Sequence, residues 1–376
     1  MAFGKKNVIK IDPFSYNIGL LGEGGIGKTC TIFNMCQKYL GDDGYLFAEC
    51  GKEDGASALS GINYINCPDW DSEYDDLNNS VGFNLLVEDI IENKDKEYPN
   101  LRVLVIDTFD QLRKIVEPEV IRLHNKQHPE KRVNSVRAAF GGFMAGDDMC
   151  DDIILDKLWE LKNVGVQFII IGHVKTREIS DEMSGTTYSQ LTTDMSMRTF
   201  NKIKTKLHFL GVAYVDREIV KEQKGNKKDK NVVKSEARKI AFRDDSYSID
   251  SKSRFADIDS ECALDADALY QTMCDAIKRE AEKGGGDIKK MQKTEEAENK
   301  ERKKRASEYS AKAKENKVDT DRNDELVEQI KPLYKAAEQE TKDAVKEIMA
   351  EYEIESFKDV SETPTVALEK ILSTLS

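Results

Sequence analysis

Short apolar runs alternate with stretches of helical periodicity over the first two thirds of the chain. Asn17 to Leu21, Tyr45 to Cys50, Ile62 to Asn66, Arg102 to Asp107 and Val166 to Gly172 are the candidate strands. VLVIDT and VQFIIIG are almost continuously apolar, as expected of strands buried on both faces. With helical patterns between them, they predict an open, mainly parallel α/β sheet covered by helices. After residue 205 the pattern changes. HFLGVAYVDREIV and SEARKIAFRD read as strands flanking the lysine-rich KEQKGNKKDKN, which predicts an exposed hairpin loop and an antiparallel extension of the sheet.

Leu264 to Glu280 reads as one helix. It runs into KGGGDIKKMQKTEEAENKERKKRASEYSAKAKENK, which has almost no apolar periodicity and too little apolar surface to offset its ordering entropy. That segment is expected to be a charged linker or a solvated helix. Beyond it, LVEQIKPLYKAA, AVKEIMAEYEI and TPTVALEKILSTL regain three- and four-residue spacing, with Thr363 and Pro364 as a helix start. The expected division is a core over 1–280, a linker over 281–320 and a small helical module over 321–376.

Composition sharpens this picture in two respects. Charged residues make up 34% of the 376 against 39% hydrophobic, which fits a chain with part of its length outside the core. The net charge of −13 excludes coating of nucleic acid by the whole surface, so any such site is local. No run of eighteen apolar residues occurs and MAFGKKNVIKIDPF lacks an apolar signal region, so no membrane contact and a cytoplasmic location are expected. The seven cysteines show no CxxC pair and no zinc-ligand spacing with histidine, and are expected to be reduced and mostly buried.

The strongest chemical signal is Gly22-Glu23-Gly24-Gly25-Ile26-Gly27-Lys28-Thr29, placed between the strand NIGLL and the helical stretch TCTIFNMCQKYL. Glycines at these positions let successive backbone N–H groups wrap phosphates, and the helix N-terminus adds its dipole. Gly22, Gly24, Gly25, Gly27, Lys28, Thr29 and Cys30 are therefore the expected ATP contacts, with Lys28 on the β- and γ-phosphates and Thr29 on Mg²⁺. Asp107, ending the apolar strand VLVID, is the second expected holder of the Mg²⁺ shell. Hydrolysis needs a carboxylate to orient water. Glu49, at the end of the strand YLFAEC, is the candidate, and His173, closing the run FIIIG, is expected to face the γ-phosphate.

Together these residues resemble the RecA-like P-loop ATPases encoded by bacteriophages, including single-strand-annealing recombinases related to RecA and RadA/Sms. The resemblance covers roughly residues 14–280. It is carried by GEGGIGKT, AECG, Trp70, VLVIDT, IIIGHVK and the segment YSIDSKSRF that ends at Phe255. It implies a RecA-like core, a homo-oligomer, single-stranded DNA as partner, and host-cell cytoplasm as the location of a phage-encoded protein. Lys252 and Arg254 would be the cations that reach across to a neighbouring subunit's ATP, where positive charge offsets the charge developing on the transferred phosphoryl group. No long N-terminal polymerisation helix like that of RecA is expected from this sequence, which leaves ring and short filament as the expected alternatives.

In that fold the segments after the third and fourth core strands face the DNA. Here they read as long irregular loops. The first carries Lys131, Arg132 and Arg137 ahead of GGFMAG; the second carries Lys175, Arg177, Arg198 and Lys202 with aromatics interleaved, a composition suited to single strands. The tract Arg302-Lys303-Lys304-Arg305 reads as charged linker. The leading functional expectation is ATP-driven annealing or strand pairing. A ring motor (helicase or loader) and a nucleotide-gated scaffold whose C-terminal helices recruit a protein partner are the alternatives.

Overall fold

The computed structural model describes residues 9–181, 185–222, 230–243, 248–283, 288–352, 354, 356–357, 360 and 363–375. The expectations placed on the first eight residues, on 223–229 of the lysine-rich loop, on Tyr247 and on the GGGD boundary at 284–287 lie outside the described residues. The strands are β1 (Ile18–Gly22), β2 (Tyr45–Cys50), β3 (Tyr64–Cys67), β4 (Val103–Asp107), β5 (Gln167–Ser180), β6 (Thr187–Thr193), β7 (Phe209–Glu222), β8 (Lys230–Ala241), β9 (Lys252–Ser253) and β10 (Glu261–Ala263). The helices are α1 (Lys28–Leu40), α2 (Phe83–Glu92), α3 (Phe109–Ile115), α4 (Glu117–Gln127), α5 (Ala145–Asn163), α6 (Met197–Lys204), α7 (Ala266–Lys283), α8 (Ile288–Glu315), α9 (Thr320–Ala336), α10 (Gln339–Glu351) and α11 (Thr365–Leu375).

One sheet runs in the order β10-β8-β7-β1-β5-β4-β2-β3, with β6 on β5 and β9 on β7. The pairs from β3 through β2, β4, β5 and β1 to β7 are parallel, so all of these strands bring their C-terminal ends to one edge. β8 runs antiparallel to β7, and β10 antiparallel to β8. This is the α/β core with a mainly parallel sheet and an antiparallel extension that the sequence pattern predicts.

The continuous apolar runs find their explanation in the two faces of the sheet. Leu104, Ile106, Phe168 and Ile170 pack with α2 and α5 residues such as Phe83, Ile90 and Leu158. Val103, Val105, Ile169 and Ile171 turn the other way and pack with Ile32, Met35 and Ile277 of α1 and α7. Period-two side chains with apolar layers on both sides leave no position for a polar residue. At Gly19 a Cβ would stand 2.7 Å from Leu207 Cδ1 and 2.9 Å from Leu210 Cδ1, so any side chain there would have to displace both leucine ends.

Two expectations need correction. β5 does not stop at Gly172 but continues to Ser180 and pairs with β6 as an antiparallel hairpin, followed by α6. The segment expected to be an irregular loop is therefore largely regular, because exposed polar residues such as Lys175, Thr176 and Glu178 suit a hairpin that reaches into water. The highly charged segment forms the helix α8, one of the two expected alternatives, but its second half is anchored rather than solvated. Ala306 is buried in the α2/α5 layer and Ser310 Oγ donates to the carbonyl of Glu92 at 2.8 Å. Ala306, Tyr309, Ser310 and Ala313 form a narrow seam of small and aromatic residues that a count of large apolar side chains does not register. α9, α10 and α11 enclose a separate apolar cluster that includes Leu326, Ile330, Val345, Leu368 and Ile371. Among the described residues no helix is long and apolar enough to cross a membrane.

Candidate functional site

The loop between β1 and α1 is shaped by two left-handed residues, Gly25 at φ +74° and Gly27 at φ +115°, conformations that only glycine adopts without cost. An added Cβ at Gly24 or Gly25 would meet nothing within 4 Å, so this face of the loop is open. Lys28 opens α1 and is only 6% exposed. Its Nζ donates to the carbonyls of Gly22 at 3.0 Å and Glu23 at 2.9 Å, which fixes the ammonium inside the curve of the loop. Burial lowers its pKa, and the carboxylates of Asp107, Asp110 and Glu53 oppose that shift. Arg238 of β8 clasps the loop from behind, donating from Nη1 to the carbonyl of Ile26 at 3.0 Å. Cys30 is exposed on the first turn of α1.

Strand register gathers the other candidates at the same edge. Gly22 stands opposite His173, and Glu49 opposite Asp107. Thr29 Oγ1 donates to Asp107 Oδ2 at 2.7 Å. Burial pushes the Asp107 carboxyl up to about 6, against the Thr29 hydrogen bond. Glu49 is 1% exposed, and Oε1 accepts the Ala56 N–H at 2.5 Å. Its Oε2 is buried with no partner among the described residues, and burial raises its pKa. Beside it, a Cβ on Gly55 would lie 3.6 Å from Thr29 Oγ1 and 3.7 Å from Glu49 Oε1. Hydroxyl and carboxylate oxygens are the donors that Mg²⁺ takes, and the orphaned Oε2 is a buried acceptor aimed at no protein group, so Thr29, Asp107 and Glu49 fit a metal–nucleotide and its attacking water.

Further groups belong to this site. His173 Nδ1 lies 3.2 Å from Asp110 Oδ2, a hydrogen bond that raises the imidazole pKa. Thr108 Oγ1 donates to Glu53 Oε1 at 3.3 Å, and ligand atoms of Glu53, Asp110 and His173 all fall within 4.8 Å of one another. Asp110 sits one residue into α3 and carries no motif of its own. Arg238 meets the loop across 212 positions of sequence, a contact that no local pattern signals.

Lys252 and Arg254 lie elsewhere. β9 pairs Lys252 with Leu210 and Ser253 with Phe209, at the start of β7, and Phe209 in turn aligns with Ile18 at the start of β1. Both cations therefore sit toward the end of the sheet opposite the P-loop, away from their own chain's nucleotide edge. Lys252 Nζ donates to the Lys204 carbonyl at 2.7 Å, and Arg254 donates to the carbonyls of Leu207 at 3.3 Å and of Thr205, capping the end of α6.

Next to them, His208 Nδ1 accepts the Asn17 N–H at 3.2 Å, which requires a neutral ring. Burial and then the charges of Arg254, Lys162 and Lys252 press its pKa down to about 4. A histidine with a depressed folded-state pKa stabilises the fold above its unfolded pKa, and that contribution is lost as pH falls through the window from about 6.5 to 4. We expect the thermal unfolding midpoint to drop across this window, and a His208→Gln variant to show a flatter profile there. Equal slopes for both proteins would assign the acid sensitivity to other groups.

Of the cations expected to face nucleic acid, Lys175 pairs with Asp194 at 2.7 Å, and Arg177 donates to the carbonyls of Thr193 at 3.3 Å and Asp194 at 3.4 Å. Arg198 pairs with Asp148, and Lys202 bridges Asp148 at 2.9 Å, Asp151 and Asp152. Lys131, Arg132 and Arg137 are exposed. They precede Phe143, which is fully exposed at 101% and held at φ +48°, next to Met144 at φ +71°. Left-handed backbone at two successive non-glycine residues costs energy and concentrates at functional positions.

The profile of a family described as AAA domain matches residues 15–255, a span that holds every residue of the P-loop edge together with Lys252 and Arg254. No curated protein matches the chain. Among solved structures, the flagellar accessory protein FlaH from Methanocaldococcus jannaschii is similar at 8% identity over 64% of this chain and 83% of that chain, with a TM-score of 0.28. So slight a likeness carries no functional argument.

Proposed function

The chain belongs to the AAA domain family, whose P-loop binds nucleotide, and from that premise we propose that it is a Mg²⁺-dependent ATPase acting on single-stranded DNA in annealing or strand pairing. The observation that carries the ATPase reading is the convergence of Lys28, Thr29, Asp107 and Glu49 at one strand edge, with one buried Glu49 oxygen left for a water. Mg²⁺ bound through Thr29 and Asp107 would neutralise phosphate charge. Lys28 holds the phosphates, Glu49 orients and deprotonates the water, and His173, braced by Asp110, faces the phosphate end of the loop across from Gly22. Lys252 and Arg254, remote from their own loop, act on the nucleotide of a neighbouring copy in a ring or short filament.

The DNA reading rests on the first segment rather than the second. Arg132 and Arg137 supply backbone-tracking charge, and the exposed Phe143 a face for stacking a base. Glu49→Gln is expected to keep ATP binding while turnover falls by about a hundredfold or more, and to hold the protein on an oligonucleotide in an electrophoretic assay with ATP. Unchanged turnover would pass the role to Glu53. An Arg132→Ala/Arg137→Ala/Phe143→Ala variant should lose salt-sensitive binding to single strands. If the unaltered protein shows no such binding, the scaffold reading replaces this one; unwinding of a tailed duplex would instead mark a motor.

A further inference from the structure

We infer that Trp159, with Lys162 and Lys206, enlarges the surface on which Lys252 and Arg254 receive the nucleotide of a neighbouring copy, the indole stacking on the base and the two ammonium groups meeting phosphate. This role rests on the reading that Lys252 and Arg254 act on a neighbour, and it adds to them residues of α5 and of the turn before β7. Trp159 lies near the C-terminal end of α5 and is 40% exposed, whereas Trp70, the other tryptophan, is buried. Lys162 Nζ stands 4.6 Å from the centroid of its ring and Lys206 Nζ 5.9 Å. α5 ends at Asn163 just before the start of β5, and Lys206 just precedes β7, so the cluster sits at the same end of the sheet as Lys252 and Arg254.

The charge balance of this surface calls for an anion. Among the described residues none of Lys162, Lys206, Lys252 and Arg254 is in an ion pair: the last two donate to backbone carbonyls, and the first two have only the indole face. Lys157, earlier on α5, pairs instead with Glu88 at 3.2 Å and Glu160 at 3.3 Å. Burial and then the Arg254 charge lower the pKa of Lys162, and burial, Arg254 and Lys204 lower that of Lys252. Lys162 is thus close to both Trp159 and Arg254, which joins the ring and the cations into one surface. Like charges gathered in this way are relieved by a bound polyanion.

An exposed indole beside unpaired cations matches a ligand with a flat aromatic part and phosphates. A single strand running on from Phe143 fits less well. The helix that joins the two aromatics carries Asp147, Asp148, Asp151, Asp152 and Asp156 between them, and these carboxylates would repel a phosphate backbone. The patch suits a compact ligand, and the nucleotide that Lys252 and Arg254 reach is one. Lysine ammonium groups ride on flexible stems, so a base takes the ring face while Lys162 and Lys206 swing to phosphate.

The test combines iodide quenching of tryptophan emission with steady-state kinetics on the full-length protein. Trp70 is buried, so iodide reports on Trp159. In Glu49→Gln protein, at a concentration where mass measurement shows oligomers with ATP, we expect ATP to lower the quenching constant at least about twofold, with no change in Lys28→Ala protein. In the otherwise unaltered protein, Trp159→Ala and Lys206→Glu should each raise KM for ATP about tenfold, with a smaller effect on kcat, and Trp159→Phe, which keeps a flat ring, should recover most of the loss. Lys206 is exposed, so its variant reports on binding even if Trp159→Ala does not fold. Unchanged KM in both variants, or quenching unaltered by ATP-driven assembly, would overturn the proposal while leaving Lys252 and Arg254 their role, provided that their double variant is inactive. Oligonucleotide binding lost in both variants with KM unchanged would overturn it in favour of a nucleic-acid surface. Wild-type turnover in the Lys252→Ala/Arg254→Ala protein would remove the neighbour reading and this one together.

Discussion

Lys28→Ala is expected to abolish ATP hydrolysis and to weaken nucleotide binding by about tenfold to a hundredfold, the worth of a charge-assisted hydrogen bond to phosphate. The ammonium is already inside the loop, fixed by the Gly22 and Glu23 carbonyls, so ATP meets a cation that needs no further ordering. The same fixation explains why Lys28→Arg should fail nearly as badly, because a planar guanidinium does not fit a space shaped for a compact ammonium. Removing Lys28 also leaves two carbonyls without their donor. A thermal melt of the ligand-free variant separates a folding defect from a binding defect, and a folded variant without turnover assigns the loss to the site. Turnover at the wild-type rate would remove the P-loop assignment, and with it the ATPase reading.

How much of this was legible beforehand depends on the range of the contacts involved. β1, β2 and β4 announce themselves because their runs are buried on both faces, and the glycine-rich turn after β1 needs residue types that few other structures need in that order. The edge shared by Gly22, Asp107, Glu49 and His173 follows once strand order is known, since parallel strands carry their last residues to one side. Asp110 and Arg238 were not legible. One is an acidic residue in a helical first turn, where the helix dipole alone accounts for it, and the other joins the loop from a strand far along the chain. The β5–β6 hairpin was hidden by its polar outer part, because Lys175, Thr176, Glu178 and Ser180 are exposed and interrupt any apolar alternation. α8 was hidden for the converse reason: its seam on α2 is made of alanine, serine and tyrosine, residues too small or too polar to read as core.

The cations Lys252 and Arg254 set up the other large effect. Their place near the start of β7 takes them away from their own P-loop, so any direct role in hydrolysis is one played on a neighbour's nucleotide. A Lys252→Ala/Arg254→Ala protein should bind ATP and fail to hydrolyse it. The loss of its bonds to the Lys204, Thr205 and Leu207 carbonyls makes a melting curve the necessary control. Mixing this variant with Glu49→Gln then distinguishes action between subunits from action within one. Where the double variant supplies the P-loop and Glu49, and the Glu49→Gln neighbour supplies the cations, a complete site is rebuilt, so hydrolysis should reappear from two inactive proteins. Within one chain no pairing restores both, because each subunit lacks either the carboxylate or the cations. Continued inactivity in mixtures shown by mass to contain mixed oligomers would overturn the assignment. A protein that stays monomeric with ATP and an oligonucleotide would leave the cations no neighbour to reach, and their bonds to the end of α6 would then be their whole role.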